Sequence, residues 1–234
     1  MTYTAKKLKK LKYFFGKPSN LGDPILFNSM PKAGTNLIEI IAIEAGYKRG
    51  LARCVVNDTL KWTFLRAKKG TFYLCHLPQV DYFRNTHFKS VFVERNLWQC
   101  IRSYINYMFI DRNHKASSFI RNSSNPASAI EALVFSNKNP NGISLIEEYL
   151  LFNKTEEDIY DARISYDGLV NKDHKSIDSL SKVLSIDTIK MESVLDNSLK
   201  QDNPTKNKGK ISIFNNISLD FEESLKNKVE EFKT

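Results

Sequence analysis

The sequence predicts an α/β fold built on a mostly parallel sheet, and three observations carry that prediction. Short apolar runs alternate along the chain with longer stretches of helical periodicity, the pattern of buried strands joined by crossover helices. The 234 residues are 41% hydrophobic and 26% charged, which suits one α/β domain with a full core and excludes a chain that stays disordered. No internal repeat or low-complexity tract interrupts the pattern, so the expected organisation is a basic segment over 1–20 followed by a single domain over 21–234.

The opening segment MTYTAKKLKKLKYFFGKP has the positive flank of a signal peptide. The apolar run behind it, Tyr13-Phe14-Phe15, is too short for an h-region, and a cytoplasmic location follows as the expectation. As a helix over 5–15 it sets Leu8, Leu11 and Phe15 on one face among five lysines. That face suits either a solvated basic helix packed on the domain or weak contact with a membrane surface. No segment reaches the roughly 18 uncharged apolar residues of a membrane helix, because Glu39 and Glu44 interrupt the best candidate, LIEIIAIEAG.

Ile25-Leu26-Phe27 reads as the first strand and 28–35 as a polar, glycine-containing turn. Leu37, Ile38, Ile40, Ile41 and Ile43 then form a buried helix ending near Gly46. TFYLCHL over 71–77 and KSVFV over 89–93 are two further strands, and 97–110 is a long aromatic-rich helix after the second. Residues 113–126, rich in Ser and Asn, read as a mobile loop over a site. Helices follow over 127–135 and 142–152, then a short strand over 163–166 and a helix over 175–184. Residues 196–210 have almost no apolar content and read as a loop before a last charged helix over 219–232.

Thirty-five basic against twenty-six acidic side chains leave a formal net charge of +9, which favours anionic ligands without choosing among nucleic acid, lipid, phosphorylated cofactor or acidic glycan. Cys54, Cys75 and Cys100 are odd in number and widely spaced, which fits a reducing compartment better than a disulfide framework. His76 beside Cys75 lacks the close ligand pairs that zinc sites use, so no metal site is expected.

One loop has the ingredients of a phosphate cradle. Ser29-Met30-Pro31-Lys32-Ala33-Gly34-Thr35 lies between a buried strand and a helix, and offers backbone N–H groups at a helix start, one glycine, a lysine and a hydroxyl. It is not the GxxxxGK[ST] loop of nucleotide hydrolases, since its lysine precedes the glycine. Taken alone, the segment is equally an ordinary strand-to-helix turn.

The chain as a whole resembles the sulfotransferase family in several places and in the family's order. Pro31-Lys32-Ala33-Gly34-Thr35 is similar to the PKSGT loop that holds the 5′-phosphosulfate of PAPS, 3′-phosphoadenosine 5′-phosphosulfate. His76-Leu77-Pro78 resembles the motif whose histidine is the catalytic base of the cytosolic branch. Val93-Glu94-Arg95-Asn96, with Ser103 eight residues after the arginine, resembles the motif that binds the 3′-phosphate. Ile164-Ser165-Tyr166-Asp167-Gly168-Leu169 is similar to the family's RYEDL strand end, and Lys208-Gly209-Lys210 to its RKG loop. The resemblance spans about residues 25–232 and implies a P-loop-like, three-layer fold with a central mostly parallel sheet flanked by helices.

The resemblance also implies a reaction: transfer of a sulfuryl group from PAPS, leaving PAP, to a hydroxyl of a small-molecule or glycan acceptor, with no metal. Lys32 and the Gly34 and Thr35 backbone would stabilise the leaving phosphate, while Pro31, Ala33 and Asn36 complete the loop. Arg95, Ser103, Lys208, Gly209 and Lys210 would hold the 3′-phosphate, and His76 would take the acceptor proton. Glu39 is the rival base, because glycan-acting branches use a glutamate in that region. The chain departs from the family at Leu74, where a lysine is usual, and at Asn207, where RKG has its arginine. Leu37 and Asn36 replace the tryptophan that stacks on adenine and its neighbouring threonine, so Tyr166 or Phe214 is the expected adenine partner. A small-molecule or nucleoside kinase and a nucleic-acid-binding module are the other function classes. The first needs magnesium ligands that the sequence does not display, and the second lacks a nucleic-acid-binding motif, so no nucleic-acid partner is expected.

Overall fold

The computed structural model describes residues 17–50, 67–76, 88–153, 159–201 and 212–232, and these fall into two compact units. The expectations for the basic helix over 5–15, Cys54, Leu77, Pro78, Tyr82, Asn207, Lys208, Gly209 and Lys210 lie outside the described residues.

The first unit takes in Met1–Glu94 and Glu156–Asn203 and carries a five-stranded, all-parallel sheet. Its strands are β1 Ile25–Ser29, β2 Lys48–Arg49, β3 Thr71–Cys75, β4 Lys89–Glu94 and β5 Ala162–Ser165, in the order β2-β3-β1-β4-β5. Every residue of β1 is buried, because a central parallel strand is covered on both faces and needs no polar alternation. Among the described residues the unit also carries helices α1 Thr35–Glu44, α6 Tyr166–Val170, α7 His174–Leu184 and α8 Thr188–Lys200. Ile38 and Ile41 of α1, Leu180 and Leu184 of α7 and Met191 and Leu195 of α8 meet Ile25, Phe27, Phe72 and Val91 of the sheet in one apolar core.

The second unit takes in Arg95–Thr155 and Pro204–Thr234. It contains α2 Leu97–Ile110, α3 Lys115–Arg121, α4 Pro126–Phe135, α5 Leu145–Asn153, a 3₁₀ turn Ile213–Asn216 and α9 Leu219–Glu231. Buried Asn106 of α2 anchors the turn, its Oδ1 accepting from Ser212 Oγ at 3.0 Å and Ile213 N at 3.1 Å. Trp98 packs edge-on against Phe214 beside it, with centroids 6.0 Å apart.

Four expectations need correction. Residues 113–126 are not a loop: His114 and Asn125 act as helix N-caps, and Ala116, Ser117 and Ile120 recur at helical spacing on a buried face. The strand expected over 163–166 stops at Ser165, whose hydroxyl accepts from Gly168 N at 3.0 Å and starts α6 at Tyr166. Residues 196–200, expected in a loop, belong to α8, which buries Met191, Val194, Leu195 and Ser198 at i, i+3, i+4 and i+7, a period that composition alone passes over; 202–210 lie outside the described residues. Phe214 is 1% exposed and offers no face to an adenine ring.

Candidate functional site

The site of the first unit lies at the carboxyl ends of β1 and β3, where ligands of open α/β sheets bind. Parallel register pairs Asn28 with Cys75, which carries His76 alongside Ser29, the last residue of β1. The His76 Nδ1 lies 2.8 Å from the Ser29 carbonyl oxygen and 3.3 Å from its hydroxyl. A carbonyl only accepts, so this contact places the ring hydrogen on Nδ1 and leaves Nε2 as the basic lone pair. Burial holds the imidazole below its usual 6.5; the Ser29 carbonyl bond works the other way, and the Lys32 ammonium adds to the lowering. His76 is therefore a neutral imidazole of fixed orientation at neutral pH.

A buried polar tie fixes the two strand ends. Cys75 Sγ donates to Asn28 Oδ1 at 3.2 Å, and Asn28 Nδ2 donates to Tyr160 Oη at 2.7 Å, so one amide links β1 to β3 and to the approach to β5. Sequence reasoning missed Ser29, Asn28 and Tyr160 in these roles. Ser29 abuts the phosphate loop, but its partner lies 47 positions away and no local signal names it.

From Ser29 the chain turns through Met30–Gly34 into α1. Lys32 takes a left-handed conformation at φ 70°, and Gly34, the N-cap, has φ 110°. Leu37 N and Ile38 N both bond the Gly34 carbonyl, at 2.9 and 3.3 Å. No side chain caps α1, and no acidic residue stands in its first turn. Among the described residues, every other helix start has a side-chain cap: Asn96, His114, Asn125, Ser144, Ser165, Asp173, Asp187, Ser212 or Ser218. A helix start without its own oxygen, beside a lysine, favours an external anion.

The Tyr166 ring lies against Gly34. A Cβ at position 34 would stand 2.0 Å from Tyr166 Cδ2, so both the positive φ and the ring demand glycine. Glu39, one turn into α1, is paired with Arg49 at 2.5 Å and is half-buried. The described part of the first unit thus gathers Pro31, Lys32, Ala33, Gly34, Thr35, Asn36, His76 and Tyr166 around one loop.

Arg95 and Ser103 belong to the second unit. Asn96 Oδ1 caps α2 through Gln99 N at 3.1 Å, and Arg95 Nε donates to Gln99 Oε1 at 3.1 Å. Ser103 lies on α2, two turns in. The same helix presents Tyr104 and Tyr107, stacked with centroids 6.3 Å apart. Burial, then Glu148 and Tyr107, push the Tyr104 phenol up to about 12. Among the described residues no cluster of three or more His, Cys, Asp or Glu forms a metal site, and no helix is long and apolar enough to cross a membrane.

No protein-family model matches the chain, and no curated protein matches it in sequence. A solved structure does: the chain is similar to mouse sulfotransferase SULT7A1 complexed with PAP, at a TM-score of 0.58 and 17% identity, over 97% of this chain and 87% of that one. At this identity the likeness is one of fold, and it agrees with the α/β architecture that the sequence resemblance implied.

Proposed function

We propose that this chain is a PAPS-dependent sulfotransferase that passes a sulfuryl group to an acceptor hydroxyl, with a carbohydrate or glycolipid as the acceptor class. The observation that carries the reading is the pairing of an uncapped, lysine-flanked helix start with a neutral histidine held by the residue that opens the same loop. The donor set suits a dianionic phosphosulfate: backbone amides at the start of α1, the Lys32 ammonium and the Thr35 hydroxyl. PAPS supplies the activated sulfuryl group.

The chain's own residues divide the remaining work. Lys32 and the first amides of α1 stabilise charge gathering on the leaving phosphate, in a loop whose shape is already set by Gly34 and Tyr166. His76 Nε2 takes the proton of the acceptor hydroxyl, while Nδ1 keeps its hydrogen bond to the Ser29 carbonyl and stops the ring from rotating. We assign the base to His76 rather than Glu39, whose carboxylate is engaged by Arg49. The 3′-phosphate is assigned to Arg95, Ser103, Lys208, Gly209 and Lys210 on the sequence resemblance. Tyr166 is the remaining adenine partner, and the tyrosines of α2 are rings of the kind that stack on sugars.

Thermal shift separates this reading from its rivals: PAP, ATP with magnesium, and single-stranded DNA are each added to the full chain. Selective stabilisation by PAP is expected, with sulfuryl transfer from PAPS surviving EDTA. Stabilisation by magnesium-ATP alone favours a kinase, and by DNA alone a nucleic-acid-binding module.

A further inference from the structure

We infer that helix α3 is closed by a proton-sensitive cap: His114 holds its first turn as a neutral imidazole and releases that turn when the ring takes up a proton. The geometry is direct. His114 Nδ1 accepts from Ala116 N at 3.1 Å, and the His114 carbonyl accepts from Ser117 N at 2.8 Å. A nitrogen that accepts carries a lone pair, so the neutral ring keeps its hydrogen on Nε2. The next proton therefore goes to Nδ1, the capping atom. Imidazolium has two donors and no acceptor, and the cap bond cannot exist in that form. The other described caps are Asn, Ser and Asp, none of which changes charge between pH 5 and 8.

The surroundings set the direction of the switch. Tyr104 and Tyr107 of α2 meet the ring edge-on, with centroids 6.1 and 5.8 Å away. Asp111 and Lys115 flank it in sequence, Glu148 of α5 faces Tyr104, and Glu131 of α4 is paired with Lys228 at 2.5 Å. Burial lowers the pKa of His114 below 6.5, Asp111 pulls it up, and Lys115 lowers it further. A folded-state pKa depressed below the unfolded value means that the unfolded turn binds the proton more readily. The cap's contribution is full above about pH 6.5 and is lost as the pH falls through the folded-state value.

The far end of α3 has no such sensitivity. Arg121 Nε and Nη2 donate to the Phe109 carbonyl at 3.0 and 2.6 Å, and its guanidinium lies 4.2 Å from the Phe109 ring centroid. Asn122 N bonds Ser118 O at 2.9 Å. Acid thus frees the first turn of α3 while the last stays tethered.

Amide hydrogen exchange on the full chain, read as protection factors at pH 7.5 and 5.0, tests this. Ala116 and Ser117 should lose roughly tenfold in protection on acidification, while Asn122 keeps its own. In His114→Asn, whose side-chain oxygen caps without titrating, the pH dependence at Ala116 should vanish; in His114→Ala, protection should be low at both pH values. Unchanged protection in the wild type at a pH where the His114 ring is seen by NMR to be protonated would overturn the inference. So would an undiminished pH dependence in His114→Asn.

Discussion

At the scale of the residue, His76 and Gly34 are the positions whose chemistry is most constrained. His76→Ala should lower turnover by at least about a hundredfold with PAP binding retained, since a positioned general base contributes about 10²–10⁴ in rate. Glu39→Gln should lower it far less, because its carboxylate is engaged by Arg49. The opposite ranking in steady-state kinetics would move the base to Glu39. Because burial depresses the imidazole pKa, His76 holds its neutral form to lower pH than a free histidine does, and with His76 as the proposed base the acid limb of kcat should fall below pH 6.5. A limb centred above that value contradicts a buried, neutral base. Gly34→Ala meets both a φ of 110° and the Tyr166 ring, so a loss of at least about 1 kcal/mol in urea unfolding is expected. An alanine variant of unchanged stability would show that the loop is not held in this shape.

The elements show where local signals suffice and where they fail. Strands β1, β3 and β4 and helices α1 and α2 were legible because uninterrupted apolar runs and a clear helical period mark them without outside help. Helix α3 was not, because its cap at His114 and its polar sequence stand among residues that also suit loops. The two-residue β2 is held by its neighbour rather than by itself: Lys48 N and Gly50 N donate to the Gly70 and Phe72 carbonyls. Likewise β5 is fixed to β4 by Asp161, whose Oδ2 accepts from Ser90 N at 2.6 Å and Ser90 Oγ at 3.0 Å. Asn125 is the clean test of a cap: its Oδ1 accepts from Ser128 N at 3.2 Å. Asn125→Ala should lower stability by about 1 kcal/mol, seen as a shifted urea midpoint at constant slope. No shift would mean that tertiary packing alone holds the start of α4.

For the whole molecule, the +9 charge and the proposed anionic cofactor make a joint prediction. Arg95→Ala should weaken PAP binding by roughly ten- to a hundredfold in calorimetry, the value of a charge-assisted hydrogen bond, while leaving the melting temperature unchanged. Wild-type affinity should also fall as salt is raised. Affinity that ignores both the substitution and the salt would overturn the proposed assignment of the 3′-phosphate to Arg95. By itself the sequence determined the α/β class, the order of the main strands and helices, and the turn through Met30–Gly34 between the first strand and the first helix. Those follow from periodicity, from glycine's tolerance of positive φ and from residue types within a few positions of one another. Only the tertiary structure decided that His76 is neutral, that its hydrogen sits on Nδ1, that Glu39 is tied to Arg49 and that Tyr166 covers Gly34. Each depends on parallel strand register, which brings together residues far apart in the chain, and on burial, which no single position carries in its own side chain.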